Sequence, residues 1–327
     1  MLTMPAFDVV RPRSLEAATE ALSSGGVLVA GGTDLVPNLK RGLLDPKRLV
    51  SLRRVDELRG LRIDEEGALV VGAGTLLVEL AQEARVRQTW PALAQAASLV
   101  ATPAIRNVAT LGGNVCLDTR CAYYDQTAFW RGALGHCLKT CGQVCHVVPS
   151  GRRCVAALSA DTPPVLIAYG ATVTVASTRG RRTLPLEDLY VADGAKHTSH
   201  ARDEIVVELR VPRPAPGTQA KYVKVRARGS IDFPALSIAV VAHFADDGAV
   251  RTLSLVVGAL GAKPRVVDGL DALAAGHRLD AGTVEAVASR AHAACHPLDN
   301  VDVDARWRRA VLPVHVRRAL LEMSAAR

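Results

Sequence analysis

Apolar positions along this chain switch repeatedly between helical and strand spacing. Leu15, Ala18 and Leu22 recur three and four residues apart behind Ser14, which predicts a helix with a serine N-cap. Residues 27–30 form a short apolar run, read as a buried strand that enters Gly31-Gly32-Thr33-Asp34, and 49–52 predicts a second. A strand over 68–72 follows, then a helix capped by Thr75, a helix over 91–99, a loop over 102–114 and a cysteine-rich stretch over 116–154. Val173 and Val175 alternate with Thr172 and Thr174, as in a half-exposed strand over 171–177, and 204–211 reads as another. Pro212-Arg213-Pro214-Ala215-Pro216-Gly217 is the clearest linker. Beyond it, strands are predicted over 221–226, 235–242 and 252–257, and helices over 266–275, 283–294 and 303–323. The pattern is α+β in three lobes, 1–58, 59–212 and 218–327, without internal repeats.

Composition narrows the class. With 327 residues, 49% hydrophobic and 22% charged, the chain is neither disordered, collagen-like nor a disulfide scaffold. Its longest apolar run, around 235–244, stops after ten residues, half of the ~20 a membrane span needs. Residues 1–16 contain Asp8, Arg11 and Arg13 and no apolar core, so no signal peptide is expected and the protein is read as cytoplasmic. The net charge of +8 raises nucleic acid as a partner, yet the arginine runs are short and no helix-turn-helix or zinc-finger signature accompanies them. A solvated basic face, or a surface for an acidic partner, accounts for the charge.

Two glycine pairs carry candidate chemistry. Val29-Ala30-Gly31-Gly32-Thr33-Asp34-Leu35-Val36 reads as strand, tight turn and helix start; glycines let backbone approach a diphosphate, and successive N–H groups aimed into the turn bind anionic oxygens. It lacks the G-x-G-x-x-G spacing of a Rossmann site. Thr110-Leu111-Gly112-Gly113-Asn114 is the second pair, preceded by Thr102-Pro103 and Ile105-Arg106-Asn107. Two such loops about 80 positions apart suggest one extended dinucleotide held between two lobes.

Cysteines carry the rest. Six of seven fall between 116 and 154, and clustered thiols in a reducing compartment point to a metal or a cluster. A cubane takes one terminal sulfur per iron, hence four thiolates. Structural zinc favours close pairs two to four residues apart, and Cys121, Cys137, Cys145 and Cys154, with steps of 16, 8 and 9, contain none. Cys137, Cys141 and Cys145 recur every four residues, as one helix face would place them, so spacing alone leaves open which are ligands. Cys116 and Cys295 read as small buried hydrophobes. Tyr123, Tyr124, Phe129 and Trp130, four of the twelve aromatic side chains, are candidates to wall a cluster from water.

The motifs Gly31-Gly32-Thr33-Asp34-Leu35, Ile105-Arg106-Asn107, Thr110-Leu111-Gly112-Gly113-Asn114 and Ser159-Ala160-Asp161-Thr162-Pro163-Pro164 resemble the FAD-binding medium subunits of the xanthine dehydrogenase and carbon monoxide dehydrogenase class of molybdenum enzymes, over essentially the whole chain. The resemblance implies the two-subdomain FAD-binding fold shared with vanillyl-alcohol oxidase (PCMH type), followed by a small antiparallel sheet with a helical bundle. It implies FAD diphosphate on the first loop, the second loop along the diphosphate and flavin, Asp161 at the adenosine end and Lys224 at the isoalloxazine. A cation there would stabilise anionic reduced flavin.

Within that class, the insertion is similar to that of the 4-hydroxybenzoyl-CoA reductase β subunits, including Asp118-Thr119-Arg120-Cys121 and His136-Cys137-Leu138-Lys139. This implies a 4Fe-4S cluster on Cys121, Cys137, Cys145 and Cys154, with Cys141 spare. A chain holding flavin and cluster is an electron relay, and the sequence shows no catalytic triad or metal-protease motif of its own. The resemblance places substrate chemistry on a molybdopterin-containing large subunit, with a 2Fe-2S small subunit between and ferredoxin as electron donor, for reductive removal of the hydroxyl of 4-hydroxybenzoyl-CoA. A medium subunit of another molybdenum hydroxylase is the alternative. A standalone FAD oxidase would leave the thiols unexplained, and a zinc-stabilised nucleic-acid-binding protein rests only on charge and cysteines.

Overall fold

The computed structural model describes residues 4–325. It is an α+β protein built on three sheets in chain order. The first is parallel: β1 (Asp8–Val10) and β2 (Val27–Val29) flank β3 (Arg48–Ser51). Helix α1 (Leu15–Ser23) crosses between β1 and β2, the crossover that parallel strands require. Ser14 caps it by accepting from the Ala17 N–H at 3.2 Å, and Leu15, Ala18 and Leu22 face Val55, Leu58, Ile205 and Val207. Helix α2 (Leu35–Lys40) leaves the glycine turn after β2.

The second sheet is antiparallel: β4 (Leu61–Ile63), β5 (Leu69–Gly72), β6 (Thr172–Ser177), β7 (Gly180–Pro185) and β8 (Ile205–Val211), in the order β4-β5-β8-β6-β7. Between β5 and β6 run seven short helices. These are α3 (Leu77–Gln82), α4 (Ala84–Thr89), α5 (Pro91–Ser98), α6 (Pro103–Arg106), α7 (Leu111–Val115), α8 (Ala128–Leu134) and α9 (Thr162–Ala168). Trp90, 1% exposed, fixes the linker by donating its indole N–H to the Pro212 carbonyl at 2.9 Å.

The third sheet, β9 (Thr218–Val225), β10 (Leu236–Phe244), β11 (Val250–Gly258) and β12 (Arg265–Val266), is antiparallel in the order β12-β11-β10-β9. One face packs on α10 (Asp271–Ala274), α11 (Ala281–Ala294) and α12 (Ala305–Ala325). The other packs on α5 and α9. Strand periodicity divides β10 between two cores: Leu236, Ile238, Val240 and Ala242 join one, Ala239 and Val241 the other. That two-sided burial explains the ten-residue apolar run, and no helix among the described residues is long and apolar enough to cross a membrane.

Several elements differ from the sequence reading. Thr75 is not a helix cap; its hydroxyl donates to the Gly60 carbonyl at 3.0 Å, while the Glu79 carboxylate accepts from the Leu76 N–H at the start of α3. The expected loop over 102–114 holds α6 and α7, each started by a threonine hydroxyl. The expected helix over 266–275 is a strand end and the single turn of α10.

Candidate functional site

The first glycine turn is shaped by what it touches. A Cβ on Gly31 would stand 1.9 Å from the Val108 carbonyl oxygen, so only glycine lets this turn lie against the second loop. Gly32 has φ +71°, the left-handed region. Among the described residues, the N–H groups of Gly32, Thr33, Asp34 and Leu35 find no acceptor, leaving a row of donors suited to an anion. Val29 and Ala30 lead in from β2, and Val36 closes the turn with its N–H on the Gly32 carbonyl at 3.0 Å.

The second loop is anchored on β5. Gly112 donates to the Ala73 carbonyl at 2.8 Å, and its Cβ would stand 2.7 Å from that of Ala73. The Leu111 N–H bonds to the Thr75 carbonyl at 2.9 Å, and the Thr110 hydroxyl accepts from the Gly113 N–H at 3.1 Å. The Thr102 hydroxyl likewise accepts from Ile105, at 3.3 Å. Asn114 reaches the aspartate segment: its Oδ1 accepts from the Thr162 N–H and hydroxyl at 3.1 and 2.7 Å. Both glycine loops and that segment are therefore in contact, and the unpaired donors of the first loop suit a diphosphate.

Asp161 and Lys224, expected at the adenosine and isoalloxazine ends of the dinucleotide, meet in this structure. They pair with each other, Nζ to Oδ2 at 2.9 Å, with side chains 3% and 1% exposed. The Tyr222 hydroxyl donates to Asp161 Oδ1 at 2.7 Å, and Lys224 also donates to the Leu99 carbonyl at 2.9 Å. Burial pushes the Asp161 carboxyl up, opposed by the Lys224 charge, and burial likewise pulls the Lys224 ammonium down. Tyr222 escaped the sequence reading, although its position two residues before Lys224 on one strand puts both on one face.

The cysteines form a second region. Cys121, Cys137, Cys145 and Cys154 line one small cavity with Tyr123, Tyr124, Leu138, Lys139 and His146. Cys141 is exposed. The four-residue recurrence of Cys137, Cys141 and Cys145 is not a helix face. The chain turns back, with the Thr140 and Gly142 N–H groups on the Cys137 carbonyl and Cys137 bridged to Val144, which leaves Cys141 in the turn. Burial pushes the Cys121 thiol up to about 11 and raises Cys154, so metal binding there must displace protons. Among the described residues, no three His, Cys, Asp or Glu side chains are grouped to hold a metal ion as they stand. The four thiols share one cavity without such a grouping.

Of the four aromatics, Tyr123 and Tyr124 wall the cavity, whereas Phe129 is 87% exposed and Trp130 stands outside, its ring 6.4 Å from that of Tyr123. Cys295 is buried; Cys116 is half-buried against the main core, where burial pushes its thiol to about 12.

Arg120 joins the two regions. It pairs with Asp34 of the first glycine turn and with Asp125 beside the cysteines at 3.6 Å, donates to Asn38 Oδ1 at 3.2 Å, and stacks 4.8 Å from the Phe233 ring centroid. Its side chain is 11% exposed.

Residues 5–214 match the family model for the FAD binding domain in molybdopterin dehydrogenase, and 221–323 match the CO dehydrogenase flavoprotein C-terminal domain. The chain is 29% identical to the carbon monoxide dehydrogenase medium chain of Hydrogenophaga pseudoflava, over 97% of this chain and 96% of that one. It is 28% identical to the nicotine 6-hydroxylase medium subunit of Paenarthrobacter nicotinovorans, over 99% of each. A solved structure of carbon monoxide dehydrogenase from Hydrogenophaga pseudoflava superposes with a TM-score of 0.81 at 26% identity, covering 99% of both chains. The chain therefore belongs to the FAD-binding medium-subunit family of the xanthine dehydrogenase and carbon monoxide dehydrogenase class of molybdenum enzymes, and is an oxidoreductase subunit.

Proposed function

We propose that this chain is the flavin-bearing electron-transfer subunit of a molybdenum hydroxylase, working beside a molybdopterin-containing large subunit and a small 2Fe-2S subunit. The observation that carries the reading is the contact of the two glycine loops, with unpaired N–H groups at Gly32, Thr33, Asp34 and Leu35. Those donors would hold the FAD diphosphate, with Thr110, Gly112, Gly113 and Asn114 along the second loop. Bound FAD would supply the exchange between two-electron and one-electron chemistry. The protein's own part is to orient the nucleotide between β2 and β5. The Asp161–Lys224 pair acts as one buried unit, locking β9 to the Leu99 carbonyl. The relatives named above, a carbon monoxide dehydrogenase and a hydroxylase, support substrate oxidation on a partner subunit. Affinity purification from the native host tests this: stoichiometric FAD and two co-purifying subunits are expected, and a flavin-free chain without partners would sink it.

The cysteine cavity favours a second reading, in which Cys121, Cys137, Cys145 and Cys154 hold a 4Fe-4S cluster in a 4-hydroxybenzoyl-CoA reductase-like complex fed by ferredoxin. What supports it is that the four thiols line one cavity, and that cubane ligands are spread over four irons rather than gathered about 2.3 Å from one ion. Replacing Cys137 with Ser should then remove the iron and leave FAD bound. Iron content unaltered in Cys137→Ser would refute the ligand set. Reduction of 4-hydroxybenzoyl-CoA by the purified complex separates this reading from the hydroxylase.

A further inference from the structure

A buried cation shares the cavity of the four thiols. Lys139 lines their cavity, and its side chain is 5% exposed. Its Nζ donates to Asp118 Oδ1 at 2.7 Å, to the Thr119 hydroxyl at 2.5 Å and to the Gly194 carbonyl at 2.8 Å, and lies 4.8 Å from the Tyr124 ring centroid. Thr119 is fully buried and donates to the same Gly194 carbonyl, so the ammonium is held by a built socket. Asp118, 30% exposed, does not line the cavity. Of the pair, the cation is therefore the member that lines the cavity. His197 and Asp125 also feel the Lys139 charge, and at Cys154 that charge opposes the upward push of burial.

We propose that Lys139 is the counter-charge that sets how readily the four-cysteine site accepts an electron, with Asp118 as its opposing partner. The inference rests on the cluster reading above. One-electron reduction adds one negative charge to a site of four thiolates and moves no proton, so a neighbouring cation at low dielectric favours the reduced form. Removing the cation should make reduction harder. Removing its carboxylate should make reduction easier, because the cation then acts unopposed. A residue that merely braces the loop would not give opposite signs.

The test uses the anaerobic complex from the native host, poised with dithionite and followed by electron paramagnetic resonance, with iron and flavin counted in each variant. Lys139→Met is expected to shift the reduced-to-oxidised ratio at a given potential about tenfold toward oxidised, which is 59 mV for one electron. Asp118→Asn should shift it the other way, and Lys139→Arg should stay near the unaltered protein. Iron retained with both variants unmoved, or moved in the same direction, would overturn the inference and leave the cluster reading standing. Loss of iron from Lys139→Met and Asp118→Asn but not Lys139→Arg would assign the pair to loop bracing and also overturn it. An unaltered complex without iron would overturn the cluster reading, and the inference with it.

Discussion

A methyl group on Gly31 would fall inside the van der Waals shell of the Val108 carbonyl, and no side-chain rotation relieves a clash between two backbones. Gly31→Ala must therefore separate the loops, at a cost of about 3 kcal/mol, and should lose flavin with it. Gly113 contrasts with it: a Cβ there meets only the rotatable Thr110 hydroxyl, at 3.1 Å. Gly113→Ala should stay within about 1 kcal/mol of the unaltered chain, since alanine favours the helix. Thermal unfolding and the ratio of flavin to protein absorbance distinguish the two. Near the cysteines, burial lowers the His197 imidazole from its ordinary 6.5 to about 4, opposed mainly by Asp118. Between those values the unfolded chain binds a proton that the folded chain refuses, so stability falls as pH drops from 6.5 toward 4. His197→Gln should flatten that slope in denaturant unfolding at a series of pH values; an unchanged slope would locate the acid sensitivity elsewhere.

Elements were legible where burial imposes a period. Ser14 and the Leu15, Ala18, Leu22 stripe define α1, and Ser14→Ala should cost about 1 kcal/mol in urea unfolding, because Ala17 loses its acceptor. β10 and β11 were legible because both faces are buried. β7 was not: residues Gly180–Pro185 form a solvent-facing edge, exposed save for a half-buried Leu184, and nothing apolar alternates. Its register is held by pairing to β6 and by side chains such as the Thr174–Thr183 hydroxyl contact at 3.0 Å. α6 and α7 hid behind glycine and proline, which read as loop, although Thr102 and Thr110 were there to cap them. In the same way the recurrence of Cys137, Cys141 and Cys145 mimicked a helix, whereas the chain turns back there, a turn that Gly142 permits because a Cβ would stand 1.7 Å from the His136 carbonyl oxygen.

At the scale of the whole molecule, the glycine loops and the cysteine positions were visible one at a time, but their joint was not. Arg120 lies 86 positions from Asp34 and five from Asp125, and no local pattern announces a contact across that separation. Its guanidinium sits between the two acids, and burial depresses its pKa against the pull of Asp125. Breaking a buried pair by removing one partner costs about 3–5 kcal/mol, because the carboxylates left behind stay desolvated. Here the two carboxylates belong to different regions: Asp34 opens α2 beside the free N–H donors, and Asp125 donates its N–H to the Cys121 carbonyl at 2.9 Å. With the proposed cluster on the cysteines, Arg120→Met should lower flavin and iron occupancy together, whereas Cys137→Ser should lower iron alone. Arg120→Lys keeps the charge but loses the planar fork, and should retain part of both. Parallel measurement of FAD and iron in the purified complex decides the point: iron lost from Arg120→Met with flavin intact would mean that Asp34 holds its loop without the arginine, and the two regions would then be neighbours rather than one connected unit.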